Sequence, residues 1–206
     1  QGVGTALPML IADELDADWG SVEVLPAIAG DGHDYGNLFT VGSASVASNW
    51  MELRQAGASA RSMLVSAAAS LWGVQPSACS TANGHVLDVA AGRKASYGDL
   101  ASLAARESVP LRPQLKSPDR FKLIGRSVGR TDSPDKSSGA AIYGLDVRQS
   151  GMLFGVVSRP PTLGATLRRF DATRALAMAG VRDVFGMDAG VAIVAASTHQ
   201  ALAALP

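Results

Sequence analysis

The sequence predicts an α+β protein of two domains. One observation is a helical pattern at 46–73, where apolar or small residues recur in steps of four and three on one face of about seven turns. The second is a hairpin pattern, with Asn83-Gly84 between two short strand-like runs. The third is a proline-containing stretch at 107–130, beyond which short strands and helices alternate. The predicted limits are a first domain at 1–108, a linker at 109–127 and a second domain at 128–206.

Composition restricts the possible classes of function. Lysine plus arginine and aspartate plus glutamate number 18 each among 206 residues, so the net charge of zero gives no basic field for nucleic acid or an anionic membrane. The single cysteine, Cys79, excludes an internal disulfide and a multi-cysteine iron–sulfur or zinc site built from this chain. Nucleic-acid binding is therefore not expected.

Targeting signals are not apparent in the sequence. No run approaches about 18 consecutive apolar residues, and no basic segment followed by an apolar one opens the chain, so we predict neither a membrane span nor a signal peptide. Both a cytoplasmic and a periplasmic location agree with this. Because the chain starts at Gln1 without methionine and a helical pattern runs up to Pro206, we expect a fragment of a longer polypeptide.

The first predicted element is a helix with Thr5 as its N-cap and Leu7, Ile11 and Leu15 on its buried face. Acidic residues crowd its C-terminal half, which the helix dipole disfavours, and we predict a solvated surface rather than a metal cluster. These residues are Asp13, Glu14, Asp16 and Asp18. The alternation that follows at 21–25 predicts a half-buried strand.

A glycine-rich loop at 26–38 contains three residue types that occur in catalytic sites, namely His33, Asp34 and Tyr35. They have neither a third metal ligand nor a nucleophile at a recognisable spacing. We therefore predict an ordinary surface loop.

The segment before the long helix is a candidate anion site. Its small and hydroxyl-bearing residues put hydroxyl groups and backbone N–H groups where a helix dipole favours a phosphate. These residues are Thr40, Gly42, Ser43 and Ser45. The alternative is that the same side chains only cap a buried helix. The buried stripe of that helix is predicted at Val46, Trp50, Leu53, Gly57, Ala60, Leu64, Ala67 and Leu71.

The rest of the first half is predicted from turns and caps. Gly73 ends the long helix, and strands at 79–81 and 85–89 form the hairpin, with Cys79 as a small buried strand residue. A turn at 91–94 and a serine-capped helix at 96–106 follow, and 107–130 is predicted to be extended.

The second half follows a different pattern, of strands, turns and two capped helices. Strands are predicted at 139–147, 152–158, 167–170, 181–185 and 191–196, a helix from Asp171 to 179, and a last helix capped by Ser197 or Thr198. The arginines Arg168, Arg169 and Arg174 are spread over different elements and are predicted to be solvated.

No local motif in the sequence contains the full set of residues that a known reaction requires. The sequence contains no Walker pattern, no dinucleotide-binding fingerprint after a strand, no nucleophile elbow and no run of metal ligands. Composition and periodicity alone therefore predict a two-domain α+β chain with, at most, an anion site.

Four stretches in order resemble the large, molybdopterin-binding subunit of the xanthine dehydrogenase and aldehyde oxidase family. The stretch 1–10 resembles the end of its Met-Gly-Gln-Gly-x-x-Thr motif, and 11–24 the helix and strand that follow. The Thr-x-Gly-Ser-x-Ser-Val pattern at 40–46 resembles its cofactor loop, and 128–146 the start of its small hammerhead domain. This domain order is similar to that of the branch that contains the beta chains of isoquinoline oxidoreductases and includes membrane-associated aldehyde dehydrogenases.

The resemblance implies part of a bacterial molybdenum hydroxylase that oxidises an aldehyde or an N-heterocyclic aromatic, with water as the oxygen source. Its cofactor would be molybdopterin, usually in the cytosine dinucleotide form, and electrons would pass to an iron–sulfur small subunit or a cytochrome. The implied cofactor contacts are Gln1, Gly2, Thr40, Gly42, Ser43 and Ser45.

The catalytic glutamate of that family lies near the C-terminal end of its large subunit, outside this chain. None of Glu14, Glu23, Glu52 and Glu107 is therefore assigned as a base, and we expect the fragment to be inactive and to bind no cofactor alone. Two alternatives stay open: a non-catalytic binding or assembly module that keeps the fold without the cofactor, and a free-standing nucleotide binder.

Overall fold

The computed structural model describes residues 1–25, 27, 30, 32–36, 38–188 and 190–206. The chain divides into two compact units, Gln1–Ala141 and Ile142–Pro206. Each unit combines helices with a three-stranded antiparallel sheet, so the predicted α+β class is confirmed. None of the helices in the described ranges combines the length and the hydropathy that a membrane span requires.

The first unit consists of helices around a small sheet. Its elements in chain order are α1 (Val3–Leu15), α2 (Ser45–Trp72), β1 (Ser80–Ala82), β2 (His85–Asp88), β3 (Arg93–Ser96), α3 (Tyr97–Ala104) and α4 (Ser133–Ser138). Short 3₁₀ turns occupy Trp19–Ser21, Pro76–Ala78 and Pro118–Arg120. The strand order is β1-β2-β3.

The long helix predicted from the apolar pattern is confirmed as α2. It ends at Gly73, whose left-handed φ of +67° suits a residue without Cβ. Its C-terminal half supplies Leu64 and Ala67 to a core completed by Val86 of β2 and Leu100 of α3. The two ends of the predicted stripe are not buried: Val46 and Leu71 are 37% and 59% exposed.

Helices α1 and α2 pack so closely that one crossing point accepts only glycine. A Cβ built on Gly57 would lie 2.5 Å from the backbone oxygen of Ile11 and 3.0 Å from Cβ of Glu14. The predicted cap at Thr5 is wrong, because α1 starts two residues earlier, with Gly2 as its N-cap. Thr5 is buried inside the helix, where its hydroxyl contacts Thr131.

The predicted solvated acidic surface on α1 is wrong for three of its four members. We call Asp13, Glu14 and Asp16 the carboxylate cluster; their exposures are 2%, 0% and 7%. Burial of these charges is possible because cations and N–H groups from distant segments surround them. Only Asp18 is exposed, where it caps the 3₁₀ turn by accepting from the N–H of Gly20 at 3.1 Å.

Glu14 is the most enclosed member of the carboxylate cluster. Its Oε1 accepts from Nε of Arg54 at 2.8 Å, and its Oε2 accepts from the backbone N–H of Lys116 at 3.0 Å. The Arg54 guanidinium also lies 5.1 Å from the Trp50 ring and 5.0 Å from the Phe121 ring. An ion pair, a backbone hydrogen bond and two aromatic faces therefore meet at one point between α1 and α2.

Asp13 and Asp16 attach the 116–124 segment to α1. Asp13 accepts from the backbone N–H groups of Lys122, Leu123 and Ile124 at 2.8–3.2 Å. Asp16 accepts from the ammonium groups of Lys116 at 2.8 Å and Lys122 at 2.6 Å. The compact units consequently divide after 141, later than the predicted linker at 109–127, because this irregular stretch is bonded into the first unit.

The predicted hairpin is confirmed. β1 and β2 pair antiparallel with Ala82 opposite His85, and Asn83 and Gly84 both adopt positive φ, +45° and +71°, as a two-residue hairpin turn requires. Cys79 lies just before β1 and is only partly buried, because it ends the preceding 3₁₀ turn rather than entering the strand.

The first two residues of strand β3, Arg93 and Lys94, lie in the stretch 91–94 that was predicted to be a turn. The strand sequence Arg-Lys-Ala-Ser has no apolar alternation, and the strand forms by pairing with β2. The helix predicted at 96–106 is confirmed as α3. Ser96 and Asp99 form a capping box at its start.

Segments 21–25 and 26–38 form no strand or helix among their described residues. The strand predicted at 21–25 is wrong: the chain leaves a 3₁₀ turn at Ser21, and Leu25 is 78% exposed. In the glycine-rich loop, His33 and Tyr35 stack at 5.7 Å and are exposed, as a surface loop predicts. The part of that prediction on 26, 28, 29, 31 and 37 lies outside the described residues.

The second unit consists of β4 (Phe154–Ser158), α5 (Thr173–Leu176), β5 (Val181–Met187), β6 (Gly190–Ala195) and α6 (Thr198–Ala203). The sheet order is β4-β6-β5, which puts the most buried strand in the centre. The three strands and the last helix were predicted, and Ser197 is the cap of α6. Arg168, Arg169 and Arg174 are exposed, as predicted.

Two predicted strands of this half are absent from its described residues, and one helix is shorter. At 139–147 the chain turns, since the Tyr143 N–H donates to the Asp146 carboxylate at 2.9 Å. At 167–170, Leu167 and Phe170 cover Gly186 of β5 instead of pairing as a strand. The helix predicted from Asp171 to 179 covers only Thr173–Leu176.

Acid should destabilise the first unit partly through Asp88. Hydrogen bonds from Arg93, at 2.5 and 3.1 Å, hold the pKa of Asp88 below its ordinary value, and the backbone N–H of Ala91 adds to this. The folded state therefore favours the ionised carboxylate. Its contribution is complete above the unfolded pKa of about 4 and is lost as the pH falls through the folded pKa.

We expect Asp88→Asn to be less stable than the wild type at pH 7, and to lose less stability than the wild type between pH 7 and pH 3. Urea unfolding at the two pH values, followed by tryptophan fluorescence, measures this. Equal losses in the two proteins would contradict the assignment to Asp88.

Candidate functional site

The start of α1 borders an open groove of about 320 Å³. It is lined by Gln1, Gly2, Thr5, Ala6, Met9 and Arg130. Five of these residues are consecutive or one helical turn apart, whereas Arg130 comes from the far end of the first unit. The groove therefore contains two of the sequence-predicted site residues, Gln1 and Gly2.

Gly2 has the backbone conformation that this corner needs. It is the N-cap of α1 with a left-handed φ of +69°, and no side chain caps the helix there. A Cβ at this position would lie 4.0 Å from Cζ and Nε of Arg130. The helix start thus lies beside a guanidinium, and its first N–H groups, at Val3 and Gly4, have no acceptor within the helix.

Gln1 and Ser45, which are 44 positions apart, are brought together. The Gln1 side-chain oxygen Oε1 accepts from the Ser45 backbone N–H at 3.3 Å, at the first residue of α2. Because this amide oxygen faces α2, the Nε2 group is left to donate elsewhere. Gln1 therefore connects the starts of the two helices.

The other predicted site residues do not line this groove. Thr40, Gly42 and Ser43 are exposed and, within the described part of the chain, the two hydroxyls make no hydrogen bond. Gly42 and Ser43 have consecutive left-handed φ values of +66° and +54°. The alternative of a Ser/Thr-capped helix is wrong, because the N-cap is Ala44 and no side chain caps α2.

Arg130 was not among the predicted site residues. A pair of threonines carries it to the groove: the Thr131 N–H donates to Oγ1 of Thr5 at 3.0 Å, and the Thr131 hydroxyl donates to the Gly4 oxygen at 3.2 Å. These bonds join positions 126 and 127 residues apart. No local pattern could have indicated this proximity.

Arg130 is oriented by an acidic neighbour. Its Nε and Nη2 donate to the two carboxylate oxygens of Asp132 at 2.9 and 2.8 Å, and Lys136 donates to the same carboxylate at 2.6 Å. These bonds from Arg130, then from Lys136, hold the pKa of Asp132 well below its ordinary value. Two cations share one carboxylate, so the three side chains carry a net charge of +1.

The chemical groups in and beside the groove are mainly hydrogen-bond donors. They include a side-chain amide, helix-terminal N–H groups and a guanidinium, which are donors that suit a phosphate. Among the described residues, no three or more His, Cys, Asp or Glu side chains are arranged so that they could hold a metal ion.

Comparison with known proteins identifies the family. The model of the molybdopterin cofactor-binding domain matches residues 1–147. That match includes the groove, the start of α2 and Arg130.

Three curated relatives align with most of this chain. The beta chain of isoquinoline 1-oxidoreductase from Brevundimonas diminuta is 35% identical over an alignment of 233 residues. The alignment covers 94% of this chain and 30% of that protein. A membrane-bound aldehyde dehydrogenase [pyrroloquinoline-quinone] of Gluconacetobacter polyoxogenes is 36% identical, covering 87% of this chain and 24% of that protein. The B component of nicotinate dehydrogenase from Pseudomonas putida is 32% identical, covering 79% of this chain and 14% of that protein.

The chain thus spans less than a third of each of these relatives. The resemblance to the molybdopterin-binding large subunit, read from the Gln1-Gly2 segment and the loop at 40–46, is confirmed by the family match. The chain belongs to the molybdopterin cofactor-binding domain family.

Proposed function

We propose that this chain is part of a molybdenum-containing oxidoreductase that oxidises an aldehyde or an N-heterocyclic compound, and that the groove beside Gln1 forms one wall of its molybdopterin site. The observation that supports this proposal is the hydrogen bond between Gln1 and Ser45, which joins the start of α1 to the start of α2. It gathers two predicted cofactor contacts inside the region that matches the family model.

The donors in and beside the groove fit a pterin that bears phosphate. A side-chain amide can pair with a polar ring edge, and a guanidinium and helix-terminal N–H groups can pair with phosphate oxygens. Gly2 keeps this corner free of a side chain. Gln1 would hold the cofactor through Nε2, and Ser43 and Ser45 would offer hydroxyls from the neighbouring loop.

The bound cofactor would supply the redox chemistry, with water as the oxygen source. The residues of this chain would bind and orient it. The catalytic base, the substrate pocket and the other walls of the site would be provided outside 1–206, so the isolated chain would be inactive. Residues 128–206, which comprise the end of the first compact unit and the whole of the second, would form a hammerhead-type domain.

The cytosine dinucleotide form of the cofactor and an iron–sulfur or cytochrome electron acceptor complete the proposal. Two relatives are named as one component of an enzyme with several different chains, which supports the expectation of partner subunits.

The test is the cofactor content of the full-length protein purified with its electron-transfer partner. We expect molybdenum and pterin in equal amounts, by elemental analysis and by fluorescence of the released pterin. Absence of molybdenum would contradict the proposal that the full-length protein is a molybdenum enzyme, and would favour the alternative of an assembly module.

In the same preparation, Ser43→Ala combined with Ser45→Ala should lower cofactor occupancy, because hydrogen bonds to an anionic group are lost. Ser70→Ala, at the exposed C-terminal end of α2, is the matched control. Unchanged occupancy in the double variant would remove these hydroxyls from the site.

A further inference from the structure

The Arg130 guanidinium lines the groove and retains N–H groups that Asp132 does not use. Asp132 occupies only Nε and one N–H of Nη2, by the two bonds described above. A guanidinium has five N–H donors, so three remain. Within the described residues, no other side chain or backbone oxygen accepts from them.

The position of Arg130 is set by the two residues that follow it. Thr131 is bonded to Thr5 and Gly4 in the first turn of α1, and Asp132 is bonded to both Arg130 and Lys136. Asp132 therefore does not neutralise Arg130, since Lys136 shares its charge. A fixed, incompletely paired cation at a groove is suited to an anion with two oxygens in a plane.

We propose that Arg130 binds a phosphate group of the cofactor through its free N–H groups, with Asp132 and Thr131 as positioning residues. This inference rests on the proposed function, because it takes the groove as part of the cofactor site. It adds a ligand-binding residue from the far end of the unit, 129 positions beyond Gln1. The ligand chemistry is a phosphate or diphosphate monoanion or dianion, which pairs with a guanidinium in a bidentate manner.

The test uses the full-length protein with its partner subunits and measures the rate at which pterin is released at a fixed, moderately raised temperature. Arg130→Met should release pterin at least about tenfold faster than the wild type, because a charge-assisted bidentate contact is lost. Arg130→Lys should be intermediate, since a lysine keeps the charge without the planar fork. Arg126→Met, an exposed arginine four residues earlier, should match the wild type.

Salt dependence separates phosphate binding from a structural role. Salt should accelerate pterin release from the wild type more steeply than from Arg130→Met, because only the wild type retains the cation–phosphate contact. The proposal would be overturned if Arg130→Met released pterin at the wild-type rate. Equal salt dependence of pterin release in the two proteins would overturn it as well. The proposal would also be overturned if cofactor-free Arg130→Met were less thermally stable than the cofactor-free wild type by an amount that accounts for the faster release.

The two proposals fail differently. If the wild-type protein carries no pterin at all, the proposed function fails. If the wild type is loaded and Arg130→Met retains pterin equally well, only the role of Arg130 fails.

Discussion

Glu14→Gln is expected to lower the free energy of unfolding of the first unit by about 3–5 kcal/mol, the range for breaking a buried ion pair by changing one partner. The substitution keeps the size of the side chain but replaces a charged acceptor by an amide. Arg54, itself 7% exposed, would then keep its charge without a carboxylate, and an N–H₂ group would face the donors on Arg54 or Lys116. The ion pair now offsets the cost of removing the Arg54 guanidinium from water. Without the carboxylate, that cost would lower the free energy of unfolding.

The measurement is urea unfolding of the chain followed by tryptophan fluorescence. All three tryptophans, Trp19, Trp50 and Trp72, lie in the first unit, so the signal reports that unit alone. Glu52→Gln on the exposed face of α2 is the matched control and should change stability by no more than about 0.5 kcal/mol. Equal midpoints for Glu14→Gln and the control would show that the carboxylate is not a stabilising partner.

Gly57→Ala should be the second most damaging substitution, at about 3 kcal/mol. In an ordinary helix, alanine would gain about 1 kcal/mol over glycine. Here the added Cβ would lie 2.5 Å from the Ile11 oxygen, a distance that real contacts do not reach, so α1 and α2 must separate. The steric cost exceeds the propensity gain and decides the sign.

Gly98→Ala in α3 is the control for this prediction. Its Cβ would meet only the Ser96 hydroxyl, at 3.8 Å, which is an ordinary contact. We expect it to be neutral or to stabilise the first unit by up to about 1 kcal/mol. If Gly57→Ala proved as stable as the wild type in the same fluorescence assay, the close crossing of α1 and α2 would be refuted.

Elements with strong local signals could be predicted from the sequence. The stripe ending at Gly73 predicts α2, Asn83-Gly84 predicts the β1–β2 turn, and Ser96 predicts the start of α3, because each signal operates within one or two turns of chain. The polar edge strand β3 has no such signal. It depends on its pairing with β2.

Features that depend on distant partners could not be predicted. The acidic end of α1 looks solvated in isolation, and only Arg54, Lys116 and Lys122 make its burial possible. The candidate site shows the same division. Ser45 was predicted from the local pattern before the long helix and Gln1 from the family resemblance, whereas Arg130 enters the groove only through a contact between residues 5 and 131.

The Thr5–Thr131 contact also has a consequence for biosynthesis. Closing a contact over 126 positions carries a high entropic cost, which nearby packing must offset first. During translation, the groove beside Gln1 cannot form until residue 131 has left the ribosome. The start of α1 is thus synthesised well before its cationic wall, and any ligand that needs Arg130 can bind only after residue 131 has been made.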